Sequence, residues 1–208
     1  MNENNIKNLV FDFGNVLVNL NKQRCVKQFE ELGLHKVNEL ISNSFKEGFF
    51  QSYELGMIST EEFREHIHSL TDKSLKDEDI DTAWNSFLVD IPPRKLMLLL
   101  ELRKKYMVYL LSNTNELHWQ WSCQNLFPYK GFDVNSYFEK TYLSFEMKLS
   151  KPDAKIFQTM IEDSGIEPKE TLFIDDSVDN CLAAETLGIR SFVAESNEDW
   201  TRLFDNKK

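Results

Sequence analysis

The chain has few cysteines, few basic residues and no long apolar run, and each shortage excludes a class of protein. The three cysteines, Cys25, Cys123 and Cys181, are odd in number, far apart and without metal-ligand spacing, which predicts reduced thiols in a cytoplasmic protein. Lys and Arg total 24 against 34 Asp and Glu, and the net charge of -10 argues against nucleic acid and anionic lipid as partners. No apolar run approaches the roughly 20 residues of a membrane span, and the polar N-terminal start lacks a signal-peptide pattern.

The apolar residues that are present predict an α/β fold. The chain has 208 residues, of which 41% are hydrophobic and 16 are Phe, enough for a full core without disulfides or a structural metal. Short runs rich in β-branched and aromatic residues are typical of buried parallel strands. Five such runs occur, at 6–13, 106–111, 141–145, 171–174 and 189–193.

Helical patterns separate several of these runs. Between 152 and 165 the apolar residues recur at helical spacing, with Pro152 suited to the first turn and Gly165 to the end. A second helix is predicted from 178 to 187, before Gly188. Strands that alternate with helices predict a Rossmann-like parallel sheet with helices on both faces.

Residues 21–90 do not follow this alternation of strands and helices, because they contain no convincing strand. Ser59 and Glu62 have capping-box spacing before one helical stretch, and Pro92 and Pro93 end the block. We predict an inserted all-helical cap at 21–90 and an α/β core formed by 1–20 and 91–208. Four amphipathic stretches support it: Val26, Phe29 and Leu32; Val37, Leu40, Ile41, Phe45 and Phe49; Phe63, Ile67 and Leu70; Ile80, Ala83, Trp84 and Phe87.

Polar side chains follow three of the predicted strands. Asp12 follows the first, Ser112 and Asn113 follow the second, and Asp175 and Asp176 follow the fourth. Ligands of open parallel sheets collect beyond the carboxyl ends of the strands, so these side chains are expected at one rim. They are the candidate functional residues.

The residue types at this rim suit phosphoryl chemistry. Gathered carboxylates form a Mg²⁺ site, and a carboxylate such as Asp12 can attack phosphorus to give an aspartyl-phosphate. Lys151 precedes a predicted helix N-terminus, where it is well placed to hold an anion. Each feature has an ordinary alternative, since acidic residues are common in turns and a Lys-Pro pair is common before helices. Their order along the chain is what argues against coincidence.

The chain resembles the haloacid dehalogenase-like (HAD) hydrolase superfamily from Leu9 to about Phe192. The four motifs of that superfamily occur in order as VFDFGNVLV, YLLSNTN, SKPDAKIF and LFIDDSVDN. The sequence within these motifs is most similar to that of a bacterial branch that resembles α-D-glucose-1-phosphate phosphatase. The resemblance implies a Mg²⁺-dependent phosphatase that acts on a small phosphomonoester such as a sugar phosphate, with the helical block as a cap that selects the substrate.

The resemblance also implies a role for each rim residue. Asp12 would be the nucleophile, Ser112 and Asn113 the phosphate contacts, and Lys151 the stabilising cation that also binds phosphate. The metal ligands would be Asp12, Asp176 and the carbonyl of Gly14, and Asp175 would support these ligands without binding the metal itself.

One departure from the superfamily pattern leaves the activity open. Its phosphatases usually read D-x-D, and the second Asp acts as general acid and base, but this chain has Gly14 at that position. The activity could therefore be weak or lost, leaving a binding module. It could also act on a phosphate whose leaving group needs little protonation, such as an anomeric phosphate. A 2-haloacid dehalogenase is a further alternative, since dehalogenases also lack the second Asp but need no metal.

Several residues keep two interpretations. Asp179 could tune the metal site or open the following helix, and Arg24 could reach the substrate or lie on a solvated helix face. His118, Trp119 and Trp121 could wall a sugar pocket or pack beneath a loop. The sequence is compatible with a monomer or a homodimer.

Overall fold

The computed structural model describes residues 5–35, 48–195 and 200–205, and these form an α/β fold around one parallel sheet. Every strand pairs in parallel with its neighbours, in the order β3-β2-β1-β4-β5. The strands are β1 (Asn8–Phe11), β2 (Met107–Ser112), β3 (Lys140–Leu143), β4 (Thr171–Asp175) and β5 (Arg190–Val193). The predicted fold class and the five predicted strands are confirmed, although the strand ends differ by one to a few residues.

The two faces of the sheet bury separate apolar clusters, which explains why its strands read as continuous apolar runs. On β1, Leu9 and Phe11 enter one cluster while Val10 enters the other. On β2, Leu110 and Leu111 divide in the same way. A strand covered on both faces needs apolar side chains at every position rather than at alternate ones.

Helices cover both faces and fill the long connection between β1 and β2. In the described residues no helix is both long enough and apolar enough to cross a membrane. The helices are α1 (Lys22–Glu31), α2 (Phe49–Glu54), α3 (Thr60–Ser69), α4 (Asp77–Asn85), α5 (Pro93–Leu102), α6 (Glu116–Asn125), α7 (Val134–Tyr137), α8 (Ser144–Met147), α9 (Ala154–Ser164) and α10 (Val178–Thr186), with 3₁₀ turns at Pro168–Glu170 and Trp200–Phe204.

The described part of 21–90 forms helices and supplies most of a third apolar cluster, which Leu117 of α6 also joins. Phe29, Phe63 and Trp84 lie in an apolar cluster separate from the two that flank the sheet. Ser59 and Glu62 form the predicted capping box at the start of α3. The boundaries of the helical block stay a prediction, and its amphipathic stretch at Val37, Leu40, Ile41 and Phe45 lies outside the described residues.

Two of the differences in element boundaries have a clear local cause. The third strand ends at Leu143 rather than continuing to 145, because the buried Ser144 begins the short helix α8. Helix α9 begins at Ala154, since the side chain of Asp153 accepts a hydrogen bond from the Lys155 amide and caps it. Pro152 therefore precedes the helix, in a cis peptide bond with the preceding residue, and is not part of its first turn.

The buried ring of His118 packs the helical block against the core. It stacks on Trp84 and Phe87, with centroid distances of 4.8 and 5.8 Å, and its Nε2 lies 3.1 Å from the carbonyl oxygen of Trp84. Burial lowers the pKa of His118 to about 4. The folded protein therefore keeps this imidazole neutral at pH values at which the unfolded chain protonates it.

This difference predicts a loss of stability in mild acid. Above about pH 6.5 the imidazole is neutral in both states, and between about pH 6.5 and 4 only the unfolded state gains the proton, which lowers the free energy of unfolding by up to about 3 kcal/mol. Between pH 7.5 and pH 5 the unfolding temperature of His118→Gln should fall less than that of wild type. His35→Gln, at an exposed position, is the control. If the unfolding temperature of His118→Gln fell as much as that of wild type, His118 would not be the cause of the acid sensitivity.

Candidate active site

The predicted rim residues meet at the carboxyl ends of the three central strands. Asp12 follows β1 directly, Ser112 is the last residue of β2, and Asp175 is the last residue of β4. Because β1 lies between β2 and β4, these three side chains start from adjacent positions along one edge of the sheet. All three are buried, with exposed fractions of 7%, 1% and 0%.

Lys151 joins two of these strands through its ammonium group. Its Nζ donates to Asp12 Oδ1 at 2.6 Å, to Asp175 Oδ2 at 2.6 Å and to the carbonyl oxygen of Leu111 at 2.9 Å. The turn before α9 carries this lysine, and only 4% of the residue is exposed. The three donated bonds match the three hydrogens of an ammonium, so the buried cation is fully satisfied.

One cation between two carboxylates sets the electrostatics of the site. Burial alone would lower the pKa of Lys151, but the carboxylates of Asp12 and Asp175 outweigh it, so the pKa is raised and the ammonium stays charged. Burial raises the pKa of Asp12 to about 7; Lys151 opposes that rise and the nearby Asp175 adds to it. The cluster is therefore one negative charge in excess when both carboxylates are ionised, which favours a further cation beside it.

The side chain of Asp175 is held from a second direction as well. Its Oδ1 accepts from the Ser177 amide at 2.8 Å, and Asn180 Nδ2 lies 3.0 and 3.1 Å from the two carboxylate oxygens. Asn180 therefore contacts the same carboxylate as Lys151, from the first turn of α10. Both oxygens of Asp175 thus have protein donors, which suits a residue that positions Lys151.

Asp176 is partly buried, and one of its carboxylate oxygens lies within 4.8 Å of oxygens of Asp12 and Asp175. Its Oδ2 accepts from Asn15 Nδ2 at 2.8 Å. Asn15 has φ of 57°, a left-handed conformation that Asn adopts more readily than most residues, and it directly follows Gly14 in the first motif. The sequence did not reveal this contact, since the two residues lie 161 positions apart.

The carboxylates of Asp12, Asp175 and Asp176 fit a small divalent cation. One oxygen from each lies within 4.8 Å of the others, and carboxylate oxygens are the ligands that Mg²⁺ prefers. The Gly14 carbonyl, the fourth predicted participant, accepts a hydrogen bond from the Val16 amide at 2.6 Å. Since both oxygens of Asp175 already have donors, Asp12 and Asp176 are the better placed pair.

The side chain of Asn113 is paired with the backbone of Lys151. Its Nδ2 donates to the carbonyl oxygen of Lys151 and its Oδ1 accepts from the Lys151 amide, both at 2.9 Å. This pair of bonds fixes the backbone that carries the ammonium. The hydroxyl of Ser112 lies 3.3 Å from the Asn113 carbonyl oxygen. The predicted phosphate contacts of the two residues stay predictions.

The remaining open residues lie on helices α1, α6 and α10. His118, Trp119 and Trp121 belong to α6, and Trp119 packs edge-on against Phe13, with centroids 5.8 Å apart. Asp179 is exposed in the first turn of α10, where a negative charge favours the helix. Arg24 is exposed and, with Trp121, lines a cleft of about 560 Å³ between the helical block and α6.

Comparison with known proteins gives the same family from three directions. The model of the haloacid dehalogenase-like hydrolase family matches residues 6–188. D-ribitol-5-phosphate phosphatase from Bacteroides thetaiotaomicron is 40% identical over 195 residues, which cover 94% of this chain and 95% of that protein.

Two solved structures agree with this match. A HAD family enzyme from B. thetaiotaomicron, crystallised with magnesium and inorganic phosphate, superposes with a TM-score of 0.92 at 52% identity, covering 96% of this chain and 99% of that one. A HAD-like family hydrolase from Porphyromonas gingivalis superposes with a TM-score of 0.88 at 35% identity, covering 98% and 100%. The chain therefore belongs to the haloacid dehalogenase-like hydrolase family.

Proposed function

We propose that this protein is a Mg²⁺-dependent phosphatase that hydrolyses a small sugar or polyol phosphate through an aspartyl-phosphate on Asp12. The observation that carries the proposal is the buried cluster in which Lys151 bridges Asp12 and Asp175, with Asp176 beside it. A carboxylate nucleophile, a fixed cation and a second carboxylate for a metal are the parts that phosphoryl transfer needs.

The reaction proceeds in two displacements at phosphorus. A carboxylate oxygen of Asp12 attacks, the bond between phosphorus and the ester oxygen breaks, and the alcohol leaves with the bonding pair and takes up a proton. Water then attacks the phosphorus of the aspartyl-phosphate, which releases inorganic phosphate and restores the Asp12 carboxylate. The ammonium of Lys151 lies 2.6 Å from Asp12 in the resting site, so its charge is in place to stabilise the phosphoryl oxygens.

The other rim residues hold these groups in position. Asp12 and Asp176, with the Gly14 carbonyl, would hold Mg²⁺, which when bound supplies charge neutralisation and favours the ionised form of Asp12. Ser112, the last residue of β2, and Asn113, which follows it, would contact the phosphoryl group. Asp175 orients Lys151, and Asn180 in turn orients Asp175.

Position 14 leaves the general acid unassigned. A Cβ added to Gly14 would lie 3.1 Å from Leu20 Cδ1, so a larger residue there requires Leu20 to shift.

The proximity of Asp176 to Asp12 favours a metal-dependent phosphatase over a 2-haloacid dehalogenase, which needs no metal. The relatives support this choice, since one is named a phosphatase and another was crystallised with magnesium and phosphate.

The name of one relative narrows the class of substrate that we propose. The phosphatase relative is named for D-ribitol 5-phosphate, which is a primary phosphate of a polyol. The glucose-1-phosphate branch stays a prediction, and so does the choice between monomer and homodimer. Comparing an anomeric phosphate with a polyol phosphate on the same enzyme separates the two substrate types.

Removal of the metal is expected to abolish phosphate release. We would measure inorganic phosphate from D-ribitol 5-phosphate, α-D-glucose 1-phosphate and p-nitrophenyl phosphate, with Mg²⁺ and with EDTA. Loss of the cation should lower kcat/KM by at least about 100-fold, because it removes several kcal/mol of transition-state stabilisation, and added Mg²⁺ should restore the activity. Activity that persists in EDTA, or halide release from a 2-haloacid, would contradict the proposal.

A further inference from the structure

The backbone turn that follows β1 carries two groups of the proposed metal site. The Gly14 carbonyl is a predicted metal ligand, and the side chain of Asn15 donates to the Asp176 carboxylate at 2.8 Å. The turn is tightly wound, since the Val16 amide donates to the Gly14 carbonyl oxygen at 2.6 Å and the Asn15 amide donates to that of Val18 at 2.8 Å. The position of Val16 therefore affects where both groups lie.

Two buried side chains hold Val16 from outside this turn. Its carbonyl oxygen accepts from Lys95 Nζ at 2.5 Å and from Trp200 Nε1 at 2.7 Å. Lys95 lies in the first turn of α5, and Trp200 begins the C-terminal 3₁₀ turn. Both residues are almost fully enclosed, with exposed fractions of 2% and 1%. A carbonyl oxygen has two lone pairs, so these two donors occupy both of them.

The indole of Trp200 is fixed by packing as well as by this bond. Its ring lies against Phe11 of β1, with centroids 4.8 Å apart, in the apolar cluster that also contains Ile174 and Ala194. The amide of Ala194 donates to the carbonyl oxygen of Asp175 at 2.9 Å. The chain beyond β5 is therefore attached to two parts of the rim, to Asp175 and, through Trp200, to the turn after β1.

The position of this contact argues for more than core packing. An indole N–H in an apolar cluster needs one acceptor, and any nearby carbonyl would satisfy it. Here two donors, 79 and 184 positions away along the chain, meet on one oxygen that lies two residues beyond Gly14. The ammonium of Lys151 is held by other contacts, to Asp12, Asp175 and Leu111. A weaker hold on Val16 should therefore disturb the metal ligands and spare the pair of nucleophile and cation.

We propose that Trp200 and Lys95 are positioning residues for the Mg²⁺ site, and that they set its affinity by fixing the turn that carries the Gly14 carbonyl and Asn15. Groups that orient metal ligands commonly change metal affinity or activity about 10- to 100-fold when they are removed. This positioning role rests on the proposed Mg²⁺-dependent function and adds the C-terminal 3₁₀ turn to the elements on which the site depends.

Trp200→Phe is the decisive variant, because it removes the indole N–H and keeps an aromatic ring beside Phe11. Calorimetric titration of the metal-free protein with MgCl₂ measures binding without turnover. We expect the Mg²⁺ dissociation constant to rise about 10-fold. The Mg²⁺ concentration that gives half-maximal phosphate release from p-nitrophenyl phosphate should rise by the same factor. At saturating Mg²⁺, kcat should stay within about twofold of wild type, because mass action refills the site.

Trp84→Phe is the matched control. It makes the same change at another buried tryptophan, whose Nε1 donates to Asn115 Oδ1 at 3.2 Å rather than to the turn after β1. Its Mg²⁺ affinity should equal that of wild type even if its unfolding temperature falls. Lys95→Met is the second variant, since it removes the other donor to Val16 and should also weaken Mg²⁺ binding.

Unchanged Mg²⁺ affinity in Trp200→Phe and Lys95→Met would overturn the positioning role and leave the phosphatase standing, whether or not their unfolding temperatures fall. An equal loss of affinity in Trp84→Phe would overturn it too, and so would a fall in kcat at saturating Mg²⁺ with unchanged affinity. A wild-type protein that binds no Mg²⁺ and releases no phosphate would remove the proposed function itself, and the positioning role with it.

Discussion

Replacing Asp12 by Asn is expected to lower kcat by at least about 10³-fold on every phosphate ester. The amide cannot form the aspartyl-phosphate, and it removes a negative charge from the set that would hold Mg²⁺. Phosphate release under saturating substrate measures the effect. Because both displacements at phosphorus use this side chain, no second group at the rim substitutes for it.

The same variant should remain folded. The asparagine side chain keeps the shape of the aspartate, and its carbonyl oxygen can accept from Lys151, which stays paired with Asp175 at 2.6 Å. Losing a buried carboxylate whose pKa is already raised to about 7 also removes a desolvation penalty. Thermal unfolding of the variant should therefore lie close to that of wild type.

Asp179→Asn is the control for this experiment, since it makes the same chemical change in the exposed first turn of α10. It should retain at least about half of the wild-type activity, as surface substitutions commonly do. A folded Asp12→Asn protein with a tenth or more of wild-type turnover would show that Asp12 is not the nucleophile. The proposed two-step reaction would then be abandoned.

The fold and the rim were predictable because local patterns determine them. The central strands are buried on both faces, so their apolar runs are continuous, and a polar residue that ends such a run lies at the strand end. Asp12, Ser112 and Asp175 were found in this way. Their convergence followed from the general rule that parallel strands end at one edge, without knowledge of the strand order.

The contacts that orient these residues were not predictable, because they join distant parts of the chain. Asn15 reaches Asp176 across 161 positions, and nothing local marks either residue as a partner of the other. The side chain of Asn113 holds the backbone of Lys151 across 38 positions, a contact that the sequence did not reveal. An amide can hydrogen-bond to almost any polar group, so only the folded arrangement determines which group it meets.

Replacing Lys151 by Met is expected to damage both stability and activity. Met fills much of the same volume, but it leaves the buried carboxylates of Asp12 and Asp175 without the ammonium that lies 2.6 Å from each. Breaking a buried ion pair by removing one partner costs about 3 to 5 kcal/mol, which for a protein of this size lowers the unfolding temperature by about 10 °C. Turnover should fall at least about 10³-fold, since the cation that stabilises the phosphoryl oxygens is gone.

The stability loss should depend on pH in a direction that identifies its cause. In EDTA at pH 8, above the pKa of about 7 that Asp12 has in wild type, wild type gains the attraction between Lys151 and an ionised Asp12 that the variant lacks, so the deficit relative to wild type is largest. Burial has raised the pKa of Asp12, and without Lys151 it rises further, so protonation near pH 5 removes part of the unpaired charge and the deficit shrinks. Lys155→Met, at an exposed position of α9, should change stability by less than about 0.5 kcal/mol. A deficit that is the same at pH 5 and pH 8 would indicate lost packing, and would contradict the electrostatic role assigned to Lys151.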